Sequence, residues 1–148
     1  MSQSDDPSVY PGTSVLRSKL NIRDAGRLGR AEDDLAGVRY AALLADLPKT
    51  PFTFDTLKDI HRTLFQDVYS WAGQPRSMAM GKPETDSPLS RVTWFTGPDR
   101  IEAEGKAVFN RLAQANFLTG LERPQFAAAA AELLRSVNDL HSFRVMLN

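Results

Sequence analysis

The chain has 148 residues, with 18 basic side chains, 18 acidic side chains, two histidines and no cysteine. This length fits one domain that is large enough to bury a core. The absence of cysteine excludes disulfides, thiolate zinc sites and thiol nucleophiles, and two imidazoles are too few for a metal site built from several histidines. Balanced charge argues against direct nucleic-acid binding, and no apolar run reaches membrane-spanning length, so we expect neither partner.

The first part of the chain predicts a flexible lead and then a helix. Residues 1–12 are rich in Ser and Asp, end in Tyr10-Pro11-Gly12 and lack the apolar stretch of a secretory signal, which favours a cytoplasmic protein. Asp24 can cap the helix that follows. The apolar stripe of that helix would consist of Leu28, Ala31, Leu35, Val38 and Ala42.

A second helix leads into an aromatic corner. Thr53 or Asp55 can cap this helix, and its apolar residues recur at helical spacing. Tyr69, Trp71 and Gly73 then follow within five residues, where Gly73 fits a helix C-terminal stop and the aromatic rings fit a rigid corner. The predicted stripe of the second helix is Leu57, Ile60, Leu64, Phe65 and Val68.

The second half predicts a short hairpin and two more helices, and hence a mostly α fold. Met78 and Met80 alternate with small residues and indicate a short strand in 76–82, and 92–95 could form its partner. A third helix opens after Gly97, and Pro124 fits the first turn of the last one. The residues expected to face inward from these helices are Ile101, Val108, Phe109, Leu112, Ala115, Phe126, Ala130, Leu133, Leu134, Val137 and Leu140.

Two stretches of this sequence resemble the Fic/Doc (Fido) family. Residues 60–76, IHRTLFQDVYSWAGQPR, are similar to its signature I-H-x-x-L-F-x-D-V-Y-x-W-A-G-x-x-R, and Y-P-G-T at 10–13 resembles its usual opening. The resemblance implies a Fic-like helical bundle over 13–148 with one β-hairpin flap, which lies over the acceptor segment of a target protein. Family members typically transfer AMP from ATP to a hydroxyl side chain of that target, with Mg²⁺ bound to the phosphates.

The family's active-site motif is H-P-F-x-(D/E)-G-N-G-(R/K), and the chain has His141-Ser142-Phe143-Arg144 at the matching place. The resemblance therefore implies that His141 is the catalytic base and that Phe143 and Arg144 belong to the nucleotide-binding loop. Without the motif, a lone histidine such as His141 near the end of an apolar helix is more often structural. His61 matches a histidine of the family's first signature helix, and we interpret it as a structural residue that flanks the apolar stripe. Four residues match the flap or target-binding positions: Arg76, Met78, Met80 and Lys82. For the methionines, a core-facing strand is the competing interpretation.

The match stops after Arg144. Val145 stands where the family has its metal-binding acid, and Met146 and Leu147 stand where it has Gly and Asn. Glycines and Asn let backbone N–H groups point at phosphates, and a carboxylate holds Mg²⁺. We therefore expect a domain that is truncated within the motif, lacks a metal ligand and transfers AMP poorly.

The sequence also bears on how the protein would be inhibited and on which other functions it could have. The inhibitory motif (S/T)-x-x-x-E-(G/N) has its nearest counterpart at Glu104-Gly105, but Arg100 occupies the Ser/Thr position. A separate small antitoxin is thus the expected inhibitor. We expect the protein itself to be cytoplasmic or to be delivered as an effector. The alternative is a non-catalytic interaction module that binds an antitoxin or a target segment through the flap. A helical binding domain unrelated to nucleotides is a third, weaker option.

Overall fold

The computed structural model describes residues 6–49, 51–85, 89 and 91–144. These form four α-helices and one hairpin, which confirms the predicted mostly α class. No helix of the described residues is both long and apolar enough to cross a membrane. The elements are α1 (Ala25–Ala45), α2 (Phe54–Phe65), β1 (Gly81–Pro83), β2 (Val92–Trp94), α3 (Ile101–Gln114) and α4 (Arg123–Leu140).

The chain divides into two compact units, where the sequence predicted one domain from residue 13 onward. The N-terminal unit contains the described residues of 6–49 and 58–74, and the C-terminal unit contains those of 51–57 and 75–144. The first turn of α2 belongs to the C-terminal unit and its remaining turns belong to the N-terminal unit.

In the N-terminal unit, α1 begins where the sequence predicted. The Asp24 side chain accepts a hydrogen bond of 2.8 Å from the Arg27 N–H, which satisfies one of the free donors of the first turn. Leu28 is fully buried, and Leu35 packs against the same core. The predicted stripe is wrong beyond Leu35, because Val38 is 70% exposed and Ala42 is exposed as well. The core of this unit contacts only the first half of α1.

The end of the predicted flexible lead is part of this core. Tyr10 is 5% exposed, and its N–H donates to the Val15 carbonyl over 2.9 Å. The guanidinium groups of Arg17 and Arg23 lie 5.4 and 4.9 Å from the centre of its ring, within cation–π range. The prediction of a flexible lead is therefore wrong around Tyr10, and residues 1–5 lie outside the described residues.

In the C-terminal unit, two threonines cap α2 reciprocally. Thr53 Oγ1 accepts from the Thr56 N–H over 3.2 Å, and Thr56 Oγ1 accepts from the Thr53 N–H over 3.1 Å, which confirms Thr53 as the cap. Phe54 then lies against α3, where Gly105 is buried. A Cβ atom on Gly105 would lie 2.7 Å from the Phe54 ring, so this approach requires glycine. The core of the unit consists of Phe54, Ile101, Val108, Phe109, Leu112 and Leu140.

Helix α4 starts as predicted, with Pro124 in its first turn and a capping box between Glu122 and Gln125. Its contact with the core is a single stripe of Leu133, Val137 and Leu140. Two other residues that were expected to face inward are exposed, Phe126 at 49% and Leu134 at 69%.

The hairpin is shorter than predicted. Strands β1 and β2 pair antiparallel in the register Gly81–Trp94, Lys82–Thr93 and Pro83–Val92. Because β1 begins at Gly81, the stretch 76–80 precedes the strand rather than forming it. Trp94 is 68% exposed, so β2 presents a large aromatic ring to solvent.

Candidate active site

The end of α4 places His141 in a distinctive backbone conformation. The helix ends at Leu140, and His141 is left-handed, with φ 42° and ψ 62°. Its N–H still donates to the Val137 carbonyl over 3.2 Å. A residue with a Cβ atom in this region costs about 1 kcal/mol, although His enters it more readily than most. The residue that terminates the helix is therefore also the one that carries the candidate base.

The His141 imidazole is held by a stacking contact. It stacks on the Phe95 ring, with centroids 4.3 Å apart and planes 13° apart. Its Nε2 atom is buried and has no hydrogen-bond partner among the described residues. Burial lowers the pKa of His141, and the charge of Arg76 lowers it further. Both effects favour the neutral form of the ring, which is the form that can accept a proton.

Arg76 does not lie on the hairpin, where the flap prediction placed it. It is only 5% exposed. Its guanidinium donates to the carbonyls of Met78 over 2.8 Å, His141 over 2.7 Å and Leu140 over 3.2 Å, and also to that of Thr96. With these donors occupied inside the unit, the side chain contacts the end of α4 and not the solvent.

The other predicted flap residues separate into three environments. Met78 and Met80 both precede β1, so neither lies in a strand. Met80 is 4% exposed and faces the core, whereas Met78 is 39% exposed. Lys82 is exposed in the middle of β1. Of the four predicted flap positions, only Lys82 therefore lies on the hairpin.

A groove of about 1060 Å³ lies beside the hairpin. It is lined by both strands and by the last turn of α4, next to the His141 backbone. Of its members the sequence interpretation named only Lys82 as a site residue. Glu84, Arg91 and Trp94 are among those it missed, although a tryptophan in a strand pattern is a usable signal for a binding surface. The lining comprises Lys82, Pro83, Glu84, Thr85, Leu89, Arg91, Thr93, Trp94, Phe95, Asn138 and Asp139.

The predicted nucleotide end of the site is only partly described. Phe143 and Arg144 are half-buried immediately after the helix end, and Val145 to Leu147 lie outside the described residues. Among the residues that the structure covers, no group of three or more His, Cys, Asp or Glu side chains could hold a metal ion. The described geometry therefore contains the candidate base and the groove.

His61 lies in the N-terminal unit, in the aromatic corner, and its imidazole is used structurally. Nδ1 accepts from the Gly73 N–H over 2.9 Å, and the ring packs against Phe65 and Trp71. Burial lowers the pKa of His61 to about 4. This arrangement supports the structural interpretation of His61.

The predicted helix stop at Gly73 is wrong, because α2 ends at Phe65, eight residues earlier. Gly73 is nevertheless required where it is. Its φ is +80°, and a Cβ atom there would lie 2.7 Å from Cβ of Arg62 and 2.9 Å from the Lys58 carbonyl oxygen.

Comparisons with known proteins agree with these features. No protein-family model matches the chain. It is 34% identical to a probable protein adenylyltransferase Fic of Escherichia coli K12, over 95% of this chain and 65% of that protein. It is 37% identical to the probable protein adenylyltransferase y4lH of Sinorhizobium fredii, over 95% of this chain and 68% of that protein. The chain thus spans about two thirds of the length of these curated relatives.

Solved structures show the same fold. The BepC effector of Bartonella tribocorum, solved with bound AMPPNP, matches with a TM-score of 0.83 and 25% identity, over 97% of this chain and 72% of that one. The N-terminal Fic domain of Bep8 from Bartonella sp. 1-1C matches with a TM-score of 0.82 and 24% identity, over 93% and 67% of the two chains.

These matches show that the chain has a Fic fold, in which His141 directly follows the last described helix. The chain belongs to the Fic family of protein adenylyltransferases, as the signature in residues 60–76 predicted.

Proposed function

We propose that His141 and the groove beside the hairpin form the base and the target-facing part of a site. This site would transfer AMP from ATP to a hydroxyl side chain of a target protein. The observation that carries this proposal is the His141 imidazole, which stacks on Phe95 and whose Nε2 has no hydrogen-bond partner among the described residues. The relatives that span most of the chain are named protein adenylyltransferases, and a structural neighbour holds AMPPNP.

The chemistry that His141 would perform is general base catalysis. The target's hydroxyl oxygen attacks the α-phosphorus of ATP while His141 accepts the hydroxyl proton. The bond between the α-phosphorus and the oxygen that bridges to the β-phosphate breaks, so pyrophosphate leaves and AMP stays on the target. Only a neutral imidazole can accept that proton, and burial favours the neutral form of His141 because it lowers the pKa.

The groove beside the hairpin would receive the target. An extended segment can pair with a strand through its backbone, which fixes register independently of most side chains. Lys82, Arg91 and Glu84 offer charges of both signs around the exposed Trp94 ring. A segment docked there would lie next to the end of α4, where it could present its hydroxyl group to His141.

The phosphate end of the site is where these residues do not fit the family pattern. The described residues offer no metal cluster, and Val145, Met146 and Leu147 supply neither a carboxylate nor glycines for an anion-binding loop. We therefore derive no step through Mg²⁺. Since losing a single oxyanion donor typically lowers a rate by about 10²–10³-fold, a polypeptide of these 148 residues should transfer AMP very slowly.

A graft tests the proposal. Residues 145–148 are replaced by the segment that begins at the motif acid in the E. coli relative and continues to the end of that protein. With α-labelled ATP and a cell lysate as the source of target, we expect labelled protein from the graft, none from the 148-residue chain and none from a graft carrying His141→Ala. A folded graft that binds ATP yet labels nothing, or one that labels equally well with His141→Ala, would contradict the role of His141.

The groove also supports a second candidate function, an interaction module that binds a target segment without transfer. Its lining does not include the phosphate end, so binding need not require ATP. In a pull-down without nucleotide, Trp94→Ala should abolish capture of the partner and His141→Ala should preserve it. Capture that depends on ATP would exclude this alternative.

A separate small antitoxin is also part of the proposal. Glu104 and Gly105 do not form a free inhibitory motif, since Gly105 is buried against Phe54 and the Glu104 carboxylate accepts from Thr96 Oγ1 over 2.8 Å. Inhibition would then come from another chain. A small protein that co-purifies with this one and suppresses labelling by the graft would support it. Cytoplasmic location and delivery as an effector remain predictions.

A further inference from the structure

The carbonyl groups at the end of α4 need partners. The last four carbonyls of any α-helix have no N–H from the helix itself, and the negative end of the helix dipole favours a cation there. At this helix end, Leu140 and His141 direct their carbonyls at one buried group, the guanidinium of Arg76. Sequence separations of 64 and 65 residues make this a tertiary contact and not a local cap.

The same side chain also holds the segment that carries the stacking partner of His141. The Arg76 guanidinium donates to the carbonyl of Thr96, which directly follows Phe95. The Thr96 N–H in turn donates to the Asp139 carbonyl over 3.2 Å. One guanidinium thus binds the carbonyl of His141 and the carbonyl of the residue that follows Phe95.

The backbone of Arg76 contributes a further contact beyond the helix end. Its N–H donates to the Ser142 carbonyl over 2.8 Å, so main chain and side chain together bind three successive carbonyls, 140 to 142. Only arginine offers a planar fork of five N–H donors that can reach several acceptors at once, whereas lysine carries one compact ammonium group.

From this geometry we propose that Arg76 is the positioning residue of the site: it fixes the left-handed turn at His141 and holds the imidazole against Phe95. The proposal rests on the proposed role of His141 as the base. Arg76 itself touches backbone carbonyls and would not contact the substrate, so it acts through His141. Its signature position, the last residue of 60–76, would then be explained by a contact with the end of α4.

The charge of Arg76 supports the same assignment. It is the charged group that, after burial, lowers the pKa of His141. Asp139 and Arg144 are the nearest titratable neighbours in sequence, and the Asp139 backbone is itself held through Thr96. Replacing Arg76 should therefore change both the place and the titration of the imidazole.

Nuclear magnetic resonance of the full 148-residue chain tests the proposal without nucleotide. The two histidines give two sets of ring signals, and those of His61 report whether the N-terminal unit is intact. In Arg76→Met we expect the His141 ring protons to lose their upfield stacking shift and the pKa of His141 to rise toward its ordinary value. Arg76→Lys keeps the charge but not the fork, so we expect displaced ring signals with a smaller rise in pKa. Arg135→Met removes a charge at an exposed site on α4, the helix that ends next to His141. It should change neither the ring signals nor the pKa of His141.

The unmodified chain supplies a readout that does not depend on any variant folding. The Nε–H of Arg76 should exchange with solvent at least about tenfold more slowly than those of exposed arginines, and should show a through-hydrogen-bond coupling to the His141 carbonyl carbon. Fast exchange without coupling would overturn the proposal, as would a folded Arg76→Met or Arg76→Lys chain with unchanged His141 ring shifts and pKa. If His141 responds to Arg76 while the graft fails to transfer AMP, the positioning role stands and the proposed function falls.

Discussion

The two histidines of this chain occupy opposite kinds of environment. In the aromatic corner, His61 accepts a backbone N–H with Nδ1 and packs between aromatic rings. At the end of α4, His141 is fixed by one stacking contact, and its Nε2 has no hydrogen-bond partner among the described residues. Burial favours the neutral form in both cases by lowering the pKa.

This comparison separates two properties that are often treated as one. A depressed histidine pKa marks burial, and burial alone does not distinguish a structural imidazole from a catalytic one. The difference lies in whether a ring nitrogen is already occupied. His61 uses its acceptor to hold Gly73, so its removal should affect stability, whereas removal of His141 should affect chemistry. Three predictions test this distinction, from the largest expected effect to the smallest.

Gly73→Ala should produce the largest loss. The added Cβ atom would overlap Arg62 and the Lys58 carbonyl oxygen at a φ of +80°, and would displace the N–H that His61 accepts. We expect the free energy of unfolding of the N-terminal unit to fall by at least about 3 kcal/mol. Urea unfolding followed by Trp71 fluorescence in a Trp94→Phe background measures it. Gly12→Ala is the matched control, since Gly12 has a φ of +73° in the same unit with open space around it, and should cost only about 1 kcal/mol. Equal losses would show that the close packing at Gly73 is unimportant.

Acidification should produce an intermediate loss through His61. Its pKa is about 4 in the folded chain and near 6.5 when unfolded, so the unfolded state binds more protons between these values. The neutral form of His61 therefore contributes to the free energy of unfolding fully above pH 6.5, and this contribution is lost as the pH falls toward 4. Because the side chain is partly exposed, we expect the contribution to be about 2 kcal/mol.

The same urea titrations at pH 7 and pH 4.5 check this effect against two variants. His61→Asn keeps an acceptor for Gly73 but does not titrate, so its loss on acidification should be smaller than that of the parent chain. His141→Asn serves as the matched control and should retain most of the pH dependence. If the two variants flatten the dependence equally, the distinction between the histidines is wrong.

His141→Asn at neutral pH should have the smallest effect on stability. Asn tolerates the left-handed conformation, and within the part of the chain that the structure describes the variant would lose no hydrogen bond at Nε2. We expect a loss of at most about 1.5 kcal/mol in thermal or urea unfolding, because the variant loses the stacking contact with Phe95. The same substitution in the grafted chain should abolish AMP transfer. A large loss of stability would instead make His141 a structural residue like His61.

Local signals in the sequence were sufficient for three of the helix starts and for the family. Asp24, Thr53 and Pro124 mark helix starts through side chains and backbones within one turn, and the structure contains each of these starts. Which residues a helix buries was less predictable. Val38 and Leu134 have the right spacing for a buried face, but periodicity does not specify how far the neighbouring core extends along the helix.

The candidate site was predictable only where a motif named it. His141 follows from its resemblance to the family motif, whereas the burial of Arg76 depends on carbonyl groups more than 60 residues later in the chain. A charged residue next to a strand pattern suggests a solvent contact, and only tertiary structure shows otherwise. Trp94 and Arg91 were missed because the hairpin pattern was used to assign strands and not to find a surface.

The contact between Gly105 and the Phe54 ring has an evolutionary consequence. Because there is no room for a methyl group between α3 and this ring, neither position can change freely on its own. Homologous chains that carry alanine or serine at position 105 should have a smaller side chain at position 54, so the two sites should co-vary. A mutational path between such homologues would have to shrink the ring before it enlarges the glycine.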